Sequence, residues 1–325
     1  MNGANSSGFI RQMRRLYEII ASPLWRSFFA SIPMSVQNEK IDLAFIGGSG
    51  FYSLSELRNA QYLKINTPFG KPSAEIAVGE ISSIRVAFIP RHGVNHELLP
   101  GEVPYAANIY ALKSLNSERI ISISAVGSLD QKIQPLDVVI PDQLIDLTKN
   151  RLNSYFGNGI VAHVNLSDPF CPDLRAQVLS NSFCNKPRVH DGGTCIVIEG
   201  PQFSTRAESR LYKNWGAHVI GMTAMPEARL AREAEICYSM IAMVTDYDSW
   251  KSDETDVTAD MVVNNLNKNS EVSKNIILKI ANNLESSRNC KCGSSLQGSI
   301  ITKSESESES VNKIQHILNK YVDRK

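Results

Sequence analysis

The sequence predicts an α/β fold, a single domain in which a central mixed, twisted β-sheet is flanked by helices. Two observations carry this. Short runs rich in Ile and Val recur from Ile41 onward, and several are nearly continuous, as strands covered on both faces are. Helical patterns alternate with them, the arrangement of a layered α/β domain. In order, the predicted strands are "IDLAFIGG", "IRVAFIP", "RIISISAVG", "DVVIPDQLID", "GGTCIVIEG", "AHVIGM" and "SMIAMVTD". Between the later strands, "STRAESRLYKNWG" opens on a Thr205-x-x-Glu208 capping box. It carries a stripe of Ala207, Leu211 and Trp215 and stops at Gly216. "PEARLAREAEICY" has Pro226 in a first helical turn. A third helical region begins near residue 257, with Val272, Ile276, Ile277, Ile280 and Leu284 at helical spacing. "KSESESES", residues 303–310, reads as a solvated linker, and the helix "VNKIQHILNKYV" follows it.

With 325 residues, 42% of them hydrophobic, and a formal charge of +1, the chain has no field to attract nucleic acid or an anionic membrane. No run approaches the roughly eighteen apolar residues that span a bilayer. Residues 1–38 stand apart as an N-terminal extension, and the domain runs from 39 to 325. Arg11, Arg14, Arg15 and Arg26 against a single Glu18 give this extension the composition of an organellar presequence. The plainer readings are an unfolded extension or a start at Met34, and the protein is expected in the cytoplasm. Six cysteines are too sparse for a secreted disulfide framework. Cys290 and Cys292 form the one close pair, with a single residue between them that poorly matches structural zinc. Reduced thiols and no metal are expected.

Six segments at strand ends carry chemistry. "AFIGGSG" ends in Gly47, Gly48, Ser49 and Gly50, which can present backbone N–H groups and a hydroxyl to an anion. A dinucleotide pattern would want a third glycine where Ser53 stands. "FIPRHGVNHE" sets Arg91 and His92 directly after a strand, a fork and a donor suited to phosphate. "SISAVGSLD" offers Ser124 and Ala125, small enough for a substrate to approach the backbone. "IEGPQFSTRAE" presents Phe203 as a stacking aromatic or a hydrophobic staple, and "IGMTAMPEA" brings Thr223 to a helix N-terminus. In "SMIAMVTDYDSW" a buried run delivers Asp246 and Asp248, two residues apart and therefore on one face. An Asx-turn or N-cap would also explain those acids. All six lie at the edge where open α/β sheets bind ligands.

Taken in order, "GGSG", "PRHG", "SAVGSL", "EGPQFSTRAE", "GMTAMPEA" and "AMVTDYDSW" resemble the 5′-methylthioadenosine phosphorylase branch of the trimeric purine nucleoside phosphorylase family. The resemblance runs from about residue 41 to 266, and "NCKCG" looks more like bacterial than animal members. It implies a purine nucleoside phosphorylase-like fold and a homotrimer, with a neighbouring subunit closing the 5′ pocket. Phosphate would be a co-substrate, with no cofactor and no metal. It also implies that Ser49, Arg91, His92, Ser124, Ala125 and Thr223 hold phosphate and that Met222 lies against the ribose. Phe203 and Ser204 would flank the base, Asp246 and Asp248 would hold its edge with Tyr247 between them, and Ala259, Val262 and Val263 would wall the 5′-methylthio group. The branch often has Thr at positions 49 and 124 and Val at 259.

The chemistry agrees with the resemblance. Cleavage of an N-glycosidic bond passes through a sugar of oxocarbenium character, by analogy with glycoside hydrolysis, and the purine leaves more easily if an acid protonates N7. A carboxylic acid with a raised pKa serves, a role assigned to Asp246, while Asp248 accepts from the exocyclic amine of adenine. The reaction expected is phosphorolysis of S-methyl-5′-thioadenosine to adenine and 5-methylthioribose 1-phosphate. Alternatives are a phosphorylase of ordinary purine nucleosides or of methylthioinosine, a purine sensor without catalysis, and a nicotinamide-dinucleotide oxidoreductase resting only on the glycines at 47–50.

Overall fold

The structure is a computed structural model that describes residues 40–48, 56–182, 187–251, 258–302 and 309–321. Eleven strands follow in chain order: β1 (Leu43–Gly47), β2 (Arg58–Leu63), β3 (Ile76–Ile81), β4 (Ile84–Pro90), β5 (Arg119–Ser128), β6 (Val138–Ile140), β7 (Gln143–Asp146), β8 (Val189–Asp191), β9 (Thr194–Val197), β10 (Val219–Gly221) and β11 (Cys237–Asp246). The helices are α1 (Tyr105–Ser114), α2 (Pro172–Ser182), α3 (Arg206–Asn214), α4 (Ala224–Glu233), α5 (Ala259–Asn283), α6 (Glu309–Lys313) and α7 (Gln315–Leu318). The strands make one mixed sheet. The two longest apolar runs form its centre: β5 is buried at nine of ten positions and β11 at all ten. Core clusters fill both faces of the sheet, with α1 and α4 against one and α2 and α5 against the other.

The two edges of β5 differ, and this positions everything that follows. Along one edge β11 runs parallel from Cys237↔Arg119 to Val244↔Val126, then slips at a bulge so that Asp246 faces Gly127. The other edge is shared: β1 pairs with Ile120 to Ile123, and antiparallel β10 takes over only at Gly127 and Ser128. The edge over Ser124, Ala125 and Val126 therefore has no strand partner on that side among the described residues. From β10 the sheet continues through β9 to β7, and from β1 through β4 and β3 to β2.

The predicted strands are present, with differences that have local causes. "DVVIPDQLID" divides into β6 and β7 around Pro141, which has no N–H to donate to a ladder. Three strands were not read from the sequence: β2, whose exposed residues lack a buried period, β3 and β8. "PEARLAREAEICY" is helical only to Glu233; Glu235 has a φ of 59°, and Cys237 and Tyr238 already belong to β11. The capping box at Thr205 and Glu208 is formed in full. Its helix is turned the other way round, however. Ser209 and Tyr212 are buried, whereas the Leu211 and Trp215 of the expected stripe are 45% and 49% exposed. Ile276, Ile277 and Ile280 bury the expected face of α5. The closing helix is two short helices broken at Ile314. Residues 1–38 and linker residues 303–308 lie outside the described residues, while Glu309 and Ser310 open α6.

Candidate active site

A cavity of about 580 Å³ opens over the unpaired stretch of β5, where β1, β4, β10 and β11 also end. Gly48 enters its wall because a Cβ there would sit 2.7 Å from the Ile123 carbonyl and 2.8 Å from Arg91 Nη1. Arg91 follows β4 and is 1% exposed. Its fork does not stand ready for an anion as the sequence suggested. Nε and Nη2 donate to Glu227 at 2.5 and 3.2 Å, Nη2 also donates to Ser122 Oγ at 2.6 Å, and Nη1 to the Ile123 carbonyl at 3.1 Å. Four of five N–H groups are thus engaged, and Glu227 also accepts from Tyr238 Oη at 2.8 Å. What Arg91 offers the cavity is one remaining Nη1 proton and a charge held in place.

His92 lies beside it. Burial, then the Arg91 charge, push its pKa down to about 4, so the ring is neutral at pH 7. Nδ1 lies 2.9 Å from the Leu98 carbonyl; a carbonyl only accepts, so Nδ1 carries the proton and Nε2 is a bare acceptor. The expected donor is thus an acceptor of an O–H. Thr223 stands at the N-cap of α4 without capping it; its hydroxyl instead meets Ser124 Oγ at 3.2 Å. Helix α4 is kinked at its start, where Met225 takes a non-helical φ of −111° and ψ of 133°, so Thr223 meets the cavity through its hydroxyl.

The other end is acidic. Both readings of the aspartates hold for Asp246, because Oδ1 accepts from the Asp248 backbone N–H at 2.8 Å, an Asx-turn, while the carboxyl also lines the cavity. Its Oδ2 accepts from Thr245 Oγ1 at 2.7 Å. Burial raises the Asp246 pKa to about 6, and burial raises that of Asp248 as well. The chain reverses here through a φ of 47° at Asp248. Gly127 makes room, since a Cβ on it would lie 2.8 Å from Asp246 Oδ1. Asp248 Oδ2 and Ser204 Oγ are buried without a well-formed hydrogen bond among the described residues, although the Ser209 and Ser204 hydroxyls lie near enough to Asp248 to oppose the effect of burial on its pKa. Such groups are costly unless something entering the cavity satisfies them. Phe203, 42% exposed, is on the cavity wall and not buried as a staple.

Met222, Ala125 and Val262 also line the cavity. Tyr247 does not: it stands between the bulged end of β11 and the turn at Asp248, edge-on to Trp250 at 6.1 Å and beneath Lys251. Its assignment to substrate binding is corrected accordingly. Ser49 and the side chains of Ala259 and Val263 lie outside the described residues. Helix α5 is tied to the site by Asn265 Nδ2, which donates to the Thr245 carbonyl at 2.7 Å, and it adds Leu266 to the wall. Sequence reasoning missed Glu227, Ser122 and Tyr238; an arginine buried after a strand requires an acid, and the first turn of α4 holds one. It also missed Arg151, which donates to the carbonyls of Glu199, Met222 and Met225 and so clasps two cavity loops together. No metal constellation stands out along the sequence, but folding gathers four cysteines. Away from the cavity, Cys171, Cys237, Cys290 and Cys292 converge with their Sγ atoms within 4.8 Å of one another; only two of the four are neighbours in sequence.

Residues 42–282 match the family model of the phosphorylase superfamily. The S-methyl-5′-thioadenosine phosphorylase of Geobacter sulfurreducens is 47% identical over 282 residues, 86% of this chain and 99% of its own. That of Synechocystis is 49% identical over 246 residues, 74% of this chain and 75% of its own. Among solved structures, a methylthioadenosine phosphorylase sourced from an antarctic soil metagenomic library is similar with a TM-score of 0.81 and 45% identity, over 86% of this chain and 99% of that one. The methylthioadenosine phosphorylase of Schistosoma mansoni in complex with adenine gives 0.72 and 35%, over 77% and 93%.

Replacing Glu227 with Gln leaves the Arg91 charge buried without a counter-charge. Urea titration is expected to show a loss of about 3–5 kcal/mol in unfolding free energy, much of it recovered when Arg91→Met is combined with Glu227→Leu.

Proposed function

The chain belongs to the phosphorylase superfamily, and from that premise we propose that it catalyses phosphorolysis of S-methyl-5′-thioadenosine to adenine and 5-methylthioribose 1-phosphate. One observation carries the choice of base. Two buried acids with raised pKa values, one with an oxygen that makes no well-formed hydrogen bond among the described residues, face the cavity. Adenine supplies an acceptor at N7 and a donor at its amine; a 6-oxopurine would set an acceptor against Asp248. In this reading Phe203 and Ser204 flank the ring.

Inorganic phosphate enters as co-substrate among Arg91, His92, Ser124, Ala125 and Thr223, together with Ser49, and no cofactor is called for. A phosphate oxygen bonds to C1′ of the ribosyl group as the C1′–N9 bond breaks. Monohydrogen phosphate enters with one proton and leaves, as an ester dianion, without it; the purine leaves with one more. Asp246 gives a proton to N7 and regains one from solvent, while His92, with Nε2 bare, accepts a hydrogen bond from the phosphate O–H, whose proton passes to solvent once the ester has formed. The Arg91–Glu227 pair is neutral overall, so it orients the anion without trapping the product. Met222 lies against the ribose. Val262, with Ala259 and Val263, makes the apolar wall for the methylthio group; Leu266 extends it, as its place on the cavity wall one helical turn beyond Val262 suggests.

The protein assembles as a homotrimer in this reading. The exposed Leu211, Trp215, Val94 and Leu99 support association, the last of them on the cavity wall. Among the described residues no helix is long and apolar enough to cross a membrane, and the reading takes the protein to be cytoplasmic.

Adenine release from methylthioadenosine, followed with and without inorganic phosphate, tests the function; release that proceeds undiminished without phosphate would end it. With the Asp246 pKa at about 6, the acid form dominates below that pH. The value of kcat/KM for the nucleoside should therefore fall roughly tenfold per unit above it, and Asp246→Asn should remove that limb with a loss of about 10²–10⁴-fold. Asp248→Asn should lower kcat/KM on methylthioadenosine and raise it on methylthioinosine. A mismatch of about 1–3 kcal/mol predicts a change of roughly 5- to 150-fold in the ratio.

A further inference from the structure

We propose that Cys171, Cys237, Cys290 and Cys292 form a structural zinc site that clamps the segment after α5 to the far end of the central sheet. The four sulfurs come from three separate parts of the chain. Cys171 precedes α2, with its backbone N–H on the Tyr238 carbonyl at 2.8 Å. Cys237 opens β11, and Cys290 and Cys292 lead into a 3₁₀ turn at Cys292–Ser294. All four Sγ atoms lie within 4.8 Å of one another, and Cys237 and Cys290 are 3.3 Å apart.

That spacing fits a metal. Zinc binds thiolate at about 2.3 Å, so tetrahedral geometry sets sulfurs about 3.8 Å apart. Disulfides, by contrast, would draw the sulfurs into pairs about 2.05 Å apart. The donor set is pure thiolate, which selects a soft or borderline cation in a tetrahedral site. Single-residue spacing argued against zinc at Cys290 and Cys292 only while the pair was considered alone. Within the fold each needs to supply one corner.

The surroundings suit a metal thiolate. Four S–H bonds break, four protons pass to solvent and four Zn–S bonds form, leaving a net charge of −2. The Arg288 guanidinium bears on Cys237 and Cys290, and Arg232 on Cys292. The Leu174 backbone N–H donates to Cys171 Sγ at 3.4 Å. Such outer contacts orient and charge-balance the ligands. Cys171, Cys237 and Cys292 are buried and Cys290 is half-buried, which gives the ion a way in.

Four protein ligands leave no open position for substrate, which makes the site structural. Cys237 and Asp246 stand at opposite ends of β11, about 30 Å apart at roughly 3.3 Å per residue. The consequence is mechanical. Arg119 already holds the chain beyond α5 through the carbonyls of Glu285, Ser286 and Ser287, and the metal would lock the next turn, fixing the far end of the helix whose first turns line the cavity.

The test uses the full chain without an affinity tag, expressed in zinc-supplemented medium and purified under a non-thiol reductant. Elemental analysis should find about one zinc per chain. Cobalt exchange into the wild type should give the ligand-field and sulfur-to-cobalt absorption of a tetrahedral thiolate site. Cys290→Ser combined with Cys292→Ser should lose the metal and melt at a lower temperature, with kcat on methylthioadenosine within about twofold at 25 °C. A folded wild-type protein without stoichiometric metal would overturn the proposal, whether its four thiols alkylate freely or its intact mass shows their hydrogens lost to disulfides. So would cobalt bound without the tetrahedral signature.

Discussion

The unclaimed edge of β5 between Ile123 and Gly127 is the constraint on which the site depends. Backbone that is buried must find partners, and a sheet normally provides them on both sides. Here β1 stops and β10 begins four residues further on, so the chain leaves an opening, with polar backbone along it, in the middle of an otherwise continuous core. The small residues of the gap, Ser124 and Ala125, keep that opening free, and Gly127 marks the point where β10 and the slipped end of β11 both meet β5. Strand ends then deliver arginine, histidine, threonine and two aspartates to its rim.

Charge is arranged differently at the two ends of this opening. At the anion end a full positive charge is present but matched, because Glu227 takes the Arg91 fork and Tyr238 and Ser122 complete the network. A bare guanidinium in that volume would bind any anion tightly and would cost several kcal/mol to bury. At the acidic end Asp246 accepts from one hydroxyl and one backbone N–H, and the groups that favour the charged form of Asp248 are hydroxyls and a backbone N–H, with no cation among them in the described residues. Burial therefore acts on the acids directly and favours their neutral form. A site built this way can hold a dianion and a proton donor together without one cancelling the other.

Helix α5 connects the opening to the rest of the fold. Near its start Val262 and Leu266 face the cavity and Asn265 bonds to β11, while Ile276, Ile277 and Ile280 lie in the core beyond. The segment that follows it meets the opposite end of the same strand at the cysteine cluster. Both ends of β11 thus bear on one helix, which couples the shape of the apolar wall to contacts well outside the cavity.

The sequence by itself determined what local geometry governs. Short apolar runs rich in Ile and Val named most of the strands, "IRVAFIP" to the residue; the capping box at Thr205 formed as read; and the position of polar residues just past apolar runs located the cavity. These follow from interactions within a few positions of one another, which spacing encodes. Tertiary structure decided the rest. Arg91 and Glu227 lie 136 positions apart, and nothing in the spacing of either says that the fork is taken. The bulge after Val244 and the turn at Asp248 set both acids inward and Tyr247 outward. Helix α3 showed its apolar stripe to the outside because Ser209 and Tyr212 met the core instead. Cysteines that looked isolated along the chain became one cluster. A buried charge or thiol is controlled by whatever folding brings within a few ångströms of it, and that proximity is a property of the packed sheet, not of the order of residues.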